Sequence, residues 1–265
     1  MQLGISTASL YPLETEAAFE MLAERGVKAI EIFYNSCSET EPDFTRQIIR
    51  CLNDFKIKIS ALHPMMSFAE PYYLFSEYKR RFEDGNEQFK KYFELAAQMG
   101  AGVVSLHGDK PTGKLSVEEY CERFLCLAEN ARRQGVHLCQ ENVNGYRSAD
   151  PEFLNDMAEL LGSYACFTLD IKQCVRAGYT VDQIVNAMNI KNIKHVHISD
   201  HSIAGDCLLP LNGGFDFGAL FSQFKLSGYN GDFIIEVYQN AYNDYNELIE
   251  SYNLLKAKTA LIFNN

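Results

Sequence analysis

Three sequence signals are missing from this chain of 265 residues, and each absence excludes a class of protein. None of the eight cysteines forms a Cys-x-x-Cys pair, so zinc-ribbon and thioredoxin-like sites lack their motif. No stretch approaches the ~18 consecutive apolar residues that would span a bilayer. Acidic residues outnumber basic ones by 35 to 24, and the net charge of −11 repels phosphate backbones. We therefore predict a protein that binds neither membranes nor nucleic acid.

The cysteines and the first residues of the chain indicate a compartment. Cys139 and Cys166 lie within apolar runs, where a free thiol behaves as a small hydrophobe. Free buried thiols suit a reducing cytosol. No Lys or Arg precedes Arg25, and the chain begins without the apolar core of a signal peptide. We expect a cytoplasmic protein.

Short apolar runs alternate with amphipathic stretches along the whole chain. The runs are rich in Val, Ile, Leu and Phe, which is typical of parallel strands buried on both faces. Eight strands are predicted in this way: Leu3–Ser6, Ala29–Phe33, Lys58–Leu62, Val103–Leu106, His137–Gln140, Cys166–Leu169, His195–Ile198 and Phe233–Val237.

Helix signals fill the intervals between these strands. Ser116 with Glu119, and Thr180 with Gln183, form capping boxes, and Asp150 is an N-cap residue followed by Pro. Glycine-rich dinucleotide and P-loop motifs are absent, and no linker or low-complexity segment divides the chain. Eight strand–helix units in 265 residues match the ~250 residues of a (β/α)₈ barrel. We predict an α/β fold, a TIM barrel that forms a single domain over residues 1–265.

One connection is longer than the others and rich in aromatic residues. It spans Ser67–Asp84 and follows the third predicted strand. It could be an extra packing segment or a contact between subunits of a homo-oligomer. Alternatively, it is a loop that covers the top of the barrel, where long connections often carry function.

Titratable side chains lie in or at the ends of seven predicted strands. They are Glu31, His63, His107, Glu141, Asp170, His197 and Glu236. In a parallel barrel the carboxyl ends of the strands share the face on which active sites are found. We therefore expect these side chains to share one mouth.

Three carboxylates forced together repel one another unless a cation neutralises them. We therefore predict that Glu141, Asp170, His197 and Glu236 bind one divalent metal ion. Carboxylate oxygens with one imidazole suit Mn²⁺, Mg²⁺ or Co²⁺, with Zn²⁺ less typical. The alternative is a set of mouth residues held by salt bridges and hydrogen bonds. Three further residues are expected to support the site through salt bridges and hydrogen bonds rather than to bind the metal: Glu31, His195 and His201.

These residues resemble those of the xylose isomerase-like barrels, which include sugar epimerases, sugar-phosphate isomerases, hydroxypyruvate isomerase, inosose dehydratase and endonuclease IV. The resemblance covers essentially the whole chain. Its most specific segments are Glu141-Asn142, Leu169-Asp170, His195-x-His197-x-x-Asp200 and Ile235-Glu236. In the family's sugar epimerases the matching Glu, Asp, His and Glu bind one divalent metal. The two glutamates are also the acid/base pair there, which implies that role for Glu141 and Glu236.

Two positions depart from the family pattern. Gln173 stands where the family often has the His of Asp-x-x-His, and Asp216 has no His beside it. Endonuclease IV uses both of those histidines to hold a cluster of metals, whereas its two earlier histidines match His63 and His107. The missing ligands, together with the acidic charge, count against a DNA-repair nuclease.

The chemistry expected of such a site is proton transfer on a small sugar. Chelation of a carbonyl and its neighbouring hydroxyl acidifies the C–H bond between them, and a carboxylate can remove that proton to give an enediolate. We predict a metal-dependent isomerase or epimerase of a small sugar or sugar derivative, with Glu141 and Glu236 carrying the proton. The residues expected to contact the substrate are His63, His107, Asp200 and Lys172.

Other functions and other roles stay open from the sequence. A metal-dependent phosphodiester hydrolase, such as an endonuclease for abasic DNA, would use a similar mouth, and a dehydratase of a keto-polyol would use the same residues. A barrel without catalysis that binds a sugar or a partner protein is a third alternative. Three cations are expected near the mouth: Lys172, Arg176 and Arg147. They could bind a phosphate or carboxylate group of a substrate, or they could pair with neighbouring acidic residues.

Overall fold

Eight parallel strands close into a barrel in the computed structural model, which describes residues 1–263. The strands are β1 (Leu3–Ser6), β2 (Ala29–Phe33), β3 (Lys58–His63), β4 (Val103–Leu106), β5 (His137–Glu141), β6 (Phe167–Asp170), β7 (Ile193–Ile198), β8 (Asp200–Ser202), β9 (Gly205–Leu208) and β10 (Phe233–Ile235), of which β8 and β9 form a separate hairpin. The order around the barrel is β1-β10-β7-β6-β5-β4-β3-β2, and each hydrogen-bonded pair in it is parallel. The predicted single-domain TIM barrel is thereby confirmed, and residues 264–265 of the predicted domain lie outside the described residues.

Each of the eight predicted strands is present, with ends that differ by up to two residues. Strand β7 begins at Ile193, and β10 ends at Ile235. The last ladder pair of β10 joins Ile235 to Ile198, and the backbone N–H of Glu236, just beyond the strand, still donates to the carbonyl of Ile198 at 3.1 Å. The antiparallel β8–β9 hairpin was not predicted, because its two strands are only three and four residues long.

Helices connect the strands and cover the outside of the barrel. They are α1 (Thr15–Glu24), α2 (Pro42–Phe55), α3 (Glu70–Tyr73), α4 (Lys79–Met99), α5 (Val117–Arg133), α6 (Pro151–Leu161), α7 (Ile171–Ala177), α8 (Val181–Met188), α9 (Phe217–Leu226) and α10 (Tyr245–Phe263). The predicted capping boxes begin α5 at Ser116 and α8 at Thr180, and Asp150 caps α6. Within residues 1–263, none of the helices combines the length and apolarity needed to cross a bilayer.

The core lies between the strands and the inner faces of the helices. On α2, for example, Phe44, Ile48 and Cys51 point inward at helical spacing and are buried. Burying each large apolar side chain stabilises the fold by roughly 1.5–3 kcal/mol. Inside the barrel, Ser105 and Thr168 satisfy each other through a buried hydroxyl contact of 2.9 Å. This packing holds the strand ends in place.

The aromatic segment 67–84 is fastened over the ends of the neighbouring strands. Glu70 Oε2 accepts a hydrogen bond of 2.6 Å from the backbone N–H of Gly108, just beyond β4. Phe75 is buried and stacks on Tyr120 of α5 with ring centroids 4.0 Å apart. Three other rings are more than half exposed: Phe68, Tyr72 and Tyr78. One side of the segment therefore packs on the barrel, and the other presents aromatic rings to the surface.

Candidate metal centre

Four side chains from adjacent strands converge on one point at the carboxyl end of the barrel. Glu141 ends β5, Asp170 ends β6, His197 lies in β7, and Glu236 directly follows β10. One ligand atom from each residue lies within 4.8 Å of the others. The Nδ1 atom of His197 is 3.5 Å from Glu141 Oε1, 3.6 Å from Asp170 Oδ2 and 3.5 Å from Glu236 Oε2. The structure thus brings together all four residues predicted as metal ligands.

The Nδ1 nitrogen of His197 indicates whether these four residues suit a metal ion. Its Nδ1 atom is buried and makes no hydrogen bond to any described residue, although three carboxylate oxygens face it. A buried polar atom without a partner is costly and calls for an explanation such as an ion. Carboxylate oxygens with one imidazole nitrogen form a donor set that divalent cations such as Mn²⁺, Mg²⁺ or Co²⁺ accept. The residues fit a divalent cation.

Glu31 of β2 determines which nitrogen of His197 faces this point. Its Oε2 atom accepts hydrogen bonds of 2.7 Å from His195 Nε2 and 2.8 Å from His197 Nε2. Burial raises the pKa of Glu31, but the two histidines outweigh this and hold the pKa well below its usual value. An ionised carboxylate can only accept hydrogen bonds, so both imidazoles carry hydrogen on Nε2. The Nδ1 atom of His197, which faces the three carboxylates of the centre, is therefore the nitrogen that would bind a metal.

Burial disfavours the charged form of every acidic group in the centre. The neighbouring charged groups then decide whether the pKa of each one is raised or lowered. Burial raises the pKa of Glu141, but the three histidines that face its carboxylate outweigh this and hold the pKa well below its usual value. For Glu236, the effect of burial is outweighed by His197 and Lys172, which lower the pKa. Asp170 shows the opposite outcome, because burial raises its pKa despite the charge of Lys172. Both glutamates are therefore ionised bases near neutral pH.

Two further histidines contact the outer oxygen of Glu141. His63 Nε2 lies 3.3 Å and His107 Nε2 lies 3.4 Å from Glu141 Oε2. The His63 ring also stacks on Phe33, with ring centroids 4.6 Å apart. Burial lowers the pKa of His107, whereas in His63 the contact with Glu141 outweighs burial and raises the pKa. These two imidazoles orient Glu141 and are themselves a potential group of metal donors with it.

A cavity of about 500 Å³ opens directly beside the centre. Sites for small molecules typically measure about 300–1,000 Å³. Five residues singled out from the sequence line it: His63, His107, Glu141, Lys172 and Glu236. Phe33 and Tyr11 add aromatic surface, and Asn35 and Gln173 add amide groups. The cavity therefore offers both apolar and hydrogen-bonding surface next to the two glutamates.

Lys172 is not only at the cavity wall but also within the centre. Its ammonium contacts Asp170 Oδ2 and Glu236 Oε2, and its side chain is buried. The other two cations considered from the sequence are occupied elsewhere. Arg176 forms a paired contact with Asp206, through bonds of 2.7 and 3.0 Å, and Arg147 donates to a backbone carbonyl at 2.8 Å.

Asp200, expected to contact the substrate, has a different environment. Its Oδ1 atom accepts hydrogen bonds from the backbone N–H groups of His201 at 2.8 Å and Phe215 at 3.0 Å. Its Oδ2 atom accepts one from Leu211 at 3.0 Å, and the residue does not line the described cavity. These contacts hold the loop between β7 and α9, and the substrate contact expected of Asp200 stays a prediction.

Asn142 is a positioning residue to which the sequence analysis assigned no role. Its amide donates to the backbone carbonyl of Asp170 at 3.0 Å and accepts from the backbone N–H of Asp170 at 2.7 Å. The side chain of Asp170 also caps α7 by accepting from Gln173 N–H at 3.1 Å. Both contacts fix the end of β6. The only signal in the sequence was that Asn142 directly follows a predicted ligand.

Known proteins share this architecture. The family described as xylose isomerase-like TIM barrel matches residues 19–258. The chain belongs to this family. Among solved xylose isomerase-like structures, D-psicose 3-epimerase in the presence of D-fructose is similar, with a TM-score of 0.80, 14% identity and coverage of 100% of both chains.

Two more proteins are similar to this chain. A probable 3-DHS dehydratase involved in petrobactin synthesis, from Bacillus anthracis, has a TM-score of 0.73 and 14% identity, over 97% of this chain and 99% of that chain. An uncharacterised protein from Mycobacterium leprae (strain TN) is 24% identical, over 89% of each chain. Such low identities establish a shared fold, and activity has to be argued from the site.

Proposed function

We propose that this protein is a divalent-metal-dependent isomerase or epimerase of a small sugar or sugar derivative. The observation that carries the proposal is the placement of two ionised glutamates, Glu141 and Glu236, on a metal-ligand set and on the same cavity. Epimerisation next to a carbonyl can use such a pair, one group on each face of the reacting carbon, beside an electrophilic centre. The similarity to D-psicose 3-epimerase gives further support.

The chain would supply the ligands, the bases and the substrate contacts. Glu141, Asp170, His197 and Glu236 would hold the cation, which when bound polarises a substrate carbonyl and acidifies the neighbouring C–H bond. One glutamate, as the carboxylate, would remove the proton to give an enediolate, and the other, once protonated from solvent, would donate a proton to the enediolate. Return to the opposite face of the same carbon gives an epimer, and return to the neighbouring carbon gives an isomer.

The surrounding residues suit this task. His63 and His107 would steady Glu141 Oε2 and donate to substrate hydroxyls from the cavity wall. Phe33 and Tyr11 would pack on the carbon skeleton, and Asn35 would bind a hydroxyl group. The cavity would thereby fix a small polyol with the reacting carbon near the glutamates.

Deuterium incorporation tests the proposal. We expect chelator-treated protein to be inactive on a panel of ketoses in D₂O, and Mn²⁺, Co²⁺ or Mg²⁺ to restore exchange at the carbon next to the carbonyl. Glu141→Gln and Glu236→Gln should each remove most of the exchange, whereas Glu159→Gln, the same change at an exposed position on α6, should keep it. Product formed without exchange, or near-normal turnover by either site variant, would contradict the scheme.

A second candidate function is metal-dependent hydrolysis of phosphodiesters. One observation favours it, since His63, His107 and Glu141 form a second group of convergent donors that shares Glu141 with the first. Gln173 and the absence of His beside Asp216 remove donors that a larger cluster would use. Elemental analysis separates the two functions, because about one metal ion per chain supports the isomerase and two or three support the hydrolase.

A dehydratase of a keto-polyol would begin with the same proton removal. It would then lose a hydroxyl from the neighbouring carbon instead of taking a proton back. The similarity to the probable 3-DHS dehydratase is the reason to include this reaction among the activities tested. Appearance of an absorbing unsaturated ketone, in place of a ketose product, would identify it.

A further inference from the structure

Lys172 contacts the same oxygen atoms that a metal ion would use. Its Nζ atom contacts Asp170 Oδ2 and Glu236 Oε2, and its side chain is only 3% exposed. These two oxygens are also the atoms that face His197 Nδ1, at 3.6 and 3.5 Å. The ammonium therefore contacts two of the three carboxylates in the predicted ligand set.

The position of Lys172 in the fold explains this contact. Asp170 caps α7, and Lys172 lies in the first turn of that helix, so its long side chain extends along the barrel mouth. From there it reaches Glu236, which is 64 residues away in the sequence. Among the residues that line the described cavity, Lys172 is the only Lys or Arg. The centre thus contains one cation that belongs to the chain.

A divalent cation and an ammonium cannot both be close to these two oxygens without strong repulsion, because like charges in a buried site are poorly screened. The ammonium satisfies two carboxylates that would otherwise be buried together without neutralisation. However, it leaves His197 Nδ1 and Glu141 Oε1 without a cation between them. The arrangement therefore suits the metal-free protein, and a metal would have to replace it.

We propose that Lys172 is a competitor of the divalent cation built into the chain. Its ammonium neutralises Asp170 and Glu236 in the metal-free protein and leaves their oxygens when the metal binds. The cavity beside the centre has room for the released side chain, which already forms part of its wall. This inference rests on the metal site of the proposed function, and it adds that metal affinity is limited by a residue of the chain.

Metal titration of two variants tests the competition. Lys172→Met keeps the length of the side chain and removes its charge. Arg176→Met makes the same change in charge on the same helix, at a residue whose carboxylate partner is Asp206, outside the ligand set. Mn²⁺ dissociation constants are measured at one pH and one ionic strength, from the electron paramagnetic resonance signal of free Mn²⁺.

We expect Lys172→Met to bind Mn²⁺ at least about tenfold more tightly than the wild type, because the competing charge is gone. Arg176→Met should stay within about twofold of the wild type, since its charge is paired with Asp206 and contacts no carboxylate of the ligand set. Mn²⁺ binding by Lys172→Met, with no binding by the wild type, would also support the competition. Equal or weaker binding by Lys172→Met, with a wild type that binds, overturns the competition and leaves the metal site intact. If neither protein binds Mn²⁺, the competition and the metal-dependent function both fail.

A second measurement covers the case in which Lys172→Met does not fold. Crystals of the wild type are compared with and without Mn²⁺. Loss of both ammonium contacts in the Mn²⁺-loaded protein supports the proposal. A bound Mn²⁺ with Lys172 still on Asp170 and Glu236 overturns it.

Discussion

Substitution of Glu31 tests whether a residue outside the predicted ligand set controls metal binding by orienting His197. It is fully buried in β2, accepts hydrogen bonds from His195 and His197, and does not line the cavity beside the centre. Glu31→Gln keeps the size of the side chain but removes the negative charge. The amide can accept through its oxygen only, and its NH₂ group would face the N–H groups of the imidazoles if it turned around.

The size of the effect follows from these two bonds. A hydrogen bond to a charged group contributes about 1.5–3 kcal/mol, against about 1 kcal/mol for a neutral one. Weakening both bonds of Glu31 should therefore lower the free energy of unfolding by about 1–4 kcal/mol. His197 also loses the partner that keeps hydrogen on Nε2, so Mn²⁺ affinity should fall by about 10- to 100-fold.

Two measurements on one pair of variants check this reasoning. The midpoint of urea unfolding reports stability, and Mn²⁺ titration reports the centre. Thr168→Val is the matched control, because it removes a buried hydrogen bond with Ser105 inside the barrel and should cost about 1 kcal/mol without changing Mn²⁺ affinity. The reasoning is refuted if Glu31→Gln unfolds at the urea concentration of the wild type, or if it binds Mn²⁺ as tightly as Thr168→Val does.

Three other substitutions have expected outcomes. Asp170→Asn should weaken Mn²⁺ binding by more than about tenfold, measured by the same titration, because it removes a charged ligand. Burial raises the pKa of Glu70 from 4.5 to about 8, so the folded protein holds a proton that the unfolded chain releases, and stability should fall as pH rises from about 4.5 to 8. Glu70→Gln should flatten that decline, on the order of 1 kcal/mol per pH unit, in urea unfolding at several pH values. Tyr120→Phe removes the hydrogen bond that its buried hydroxyl donates to Gln140 and should cost about 1–2 kcal/mol of unfolding free energy.

Each of these three has a result that would count against it. Unchanged Mn²⁺ affinity in Asp170→Asn would remove this residue from the ligand set. A Glu70→Gln variant with the same pH profile as the wild type would mean that another group causes the decline. If Tyr120→Phe unfolded like the wild type, the hydroxyl contact with Gln140 would contribute nothing to stability.

The barrel could be predicted because its signals are local. A strand buried on both faces, such as Val103–Leu106, needs an apolar run, and a helix start such as Ser116 needs an acceptor for free N–H groups. The topology then determined which strand ends meet, and so the convergence of Glu141, Asp170 and Glu236 followed from their positions in the chain.

The contacts that set the chemistry of the centre could not be predicted in this way. Residues two apart on a helix do not face each other, so the spacing of Asp170 and Lys172 gave no sign of their ion pair. That pair exists because Asp170 caps the helix that carries Lys172, and because Glu236 comes from a strand far along the chain.

Sequence and tertiary structure therefore determined different features of this protein. The sequence alone determined the fold, the face that carries the site and the four converging residues, because periodicity and strand order act along the backbone. Only the tertiary structure decided that Glu31 orients His197, that Asp200 holds a loop, and that an ammonium lies among the carboxylates. Those outcomes depend on the direction of each side chain, which is set by packing between segments that are distant in sequence.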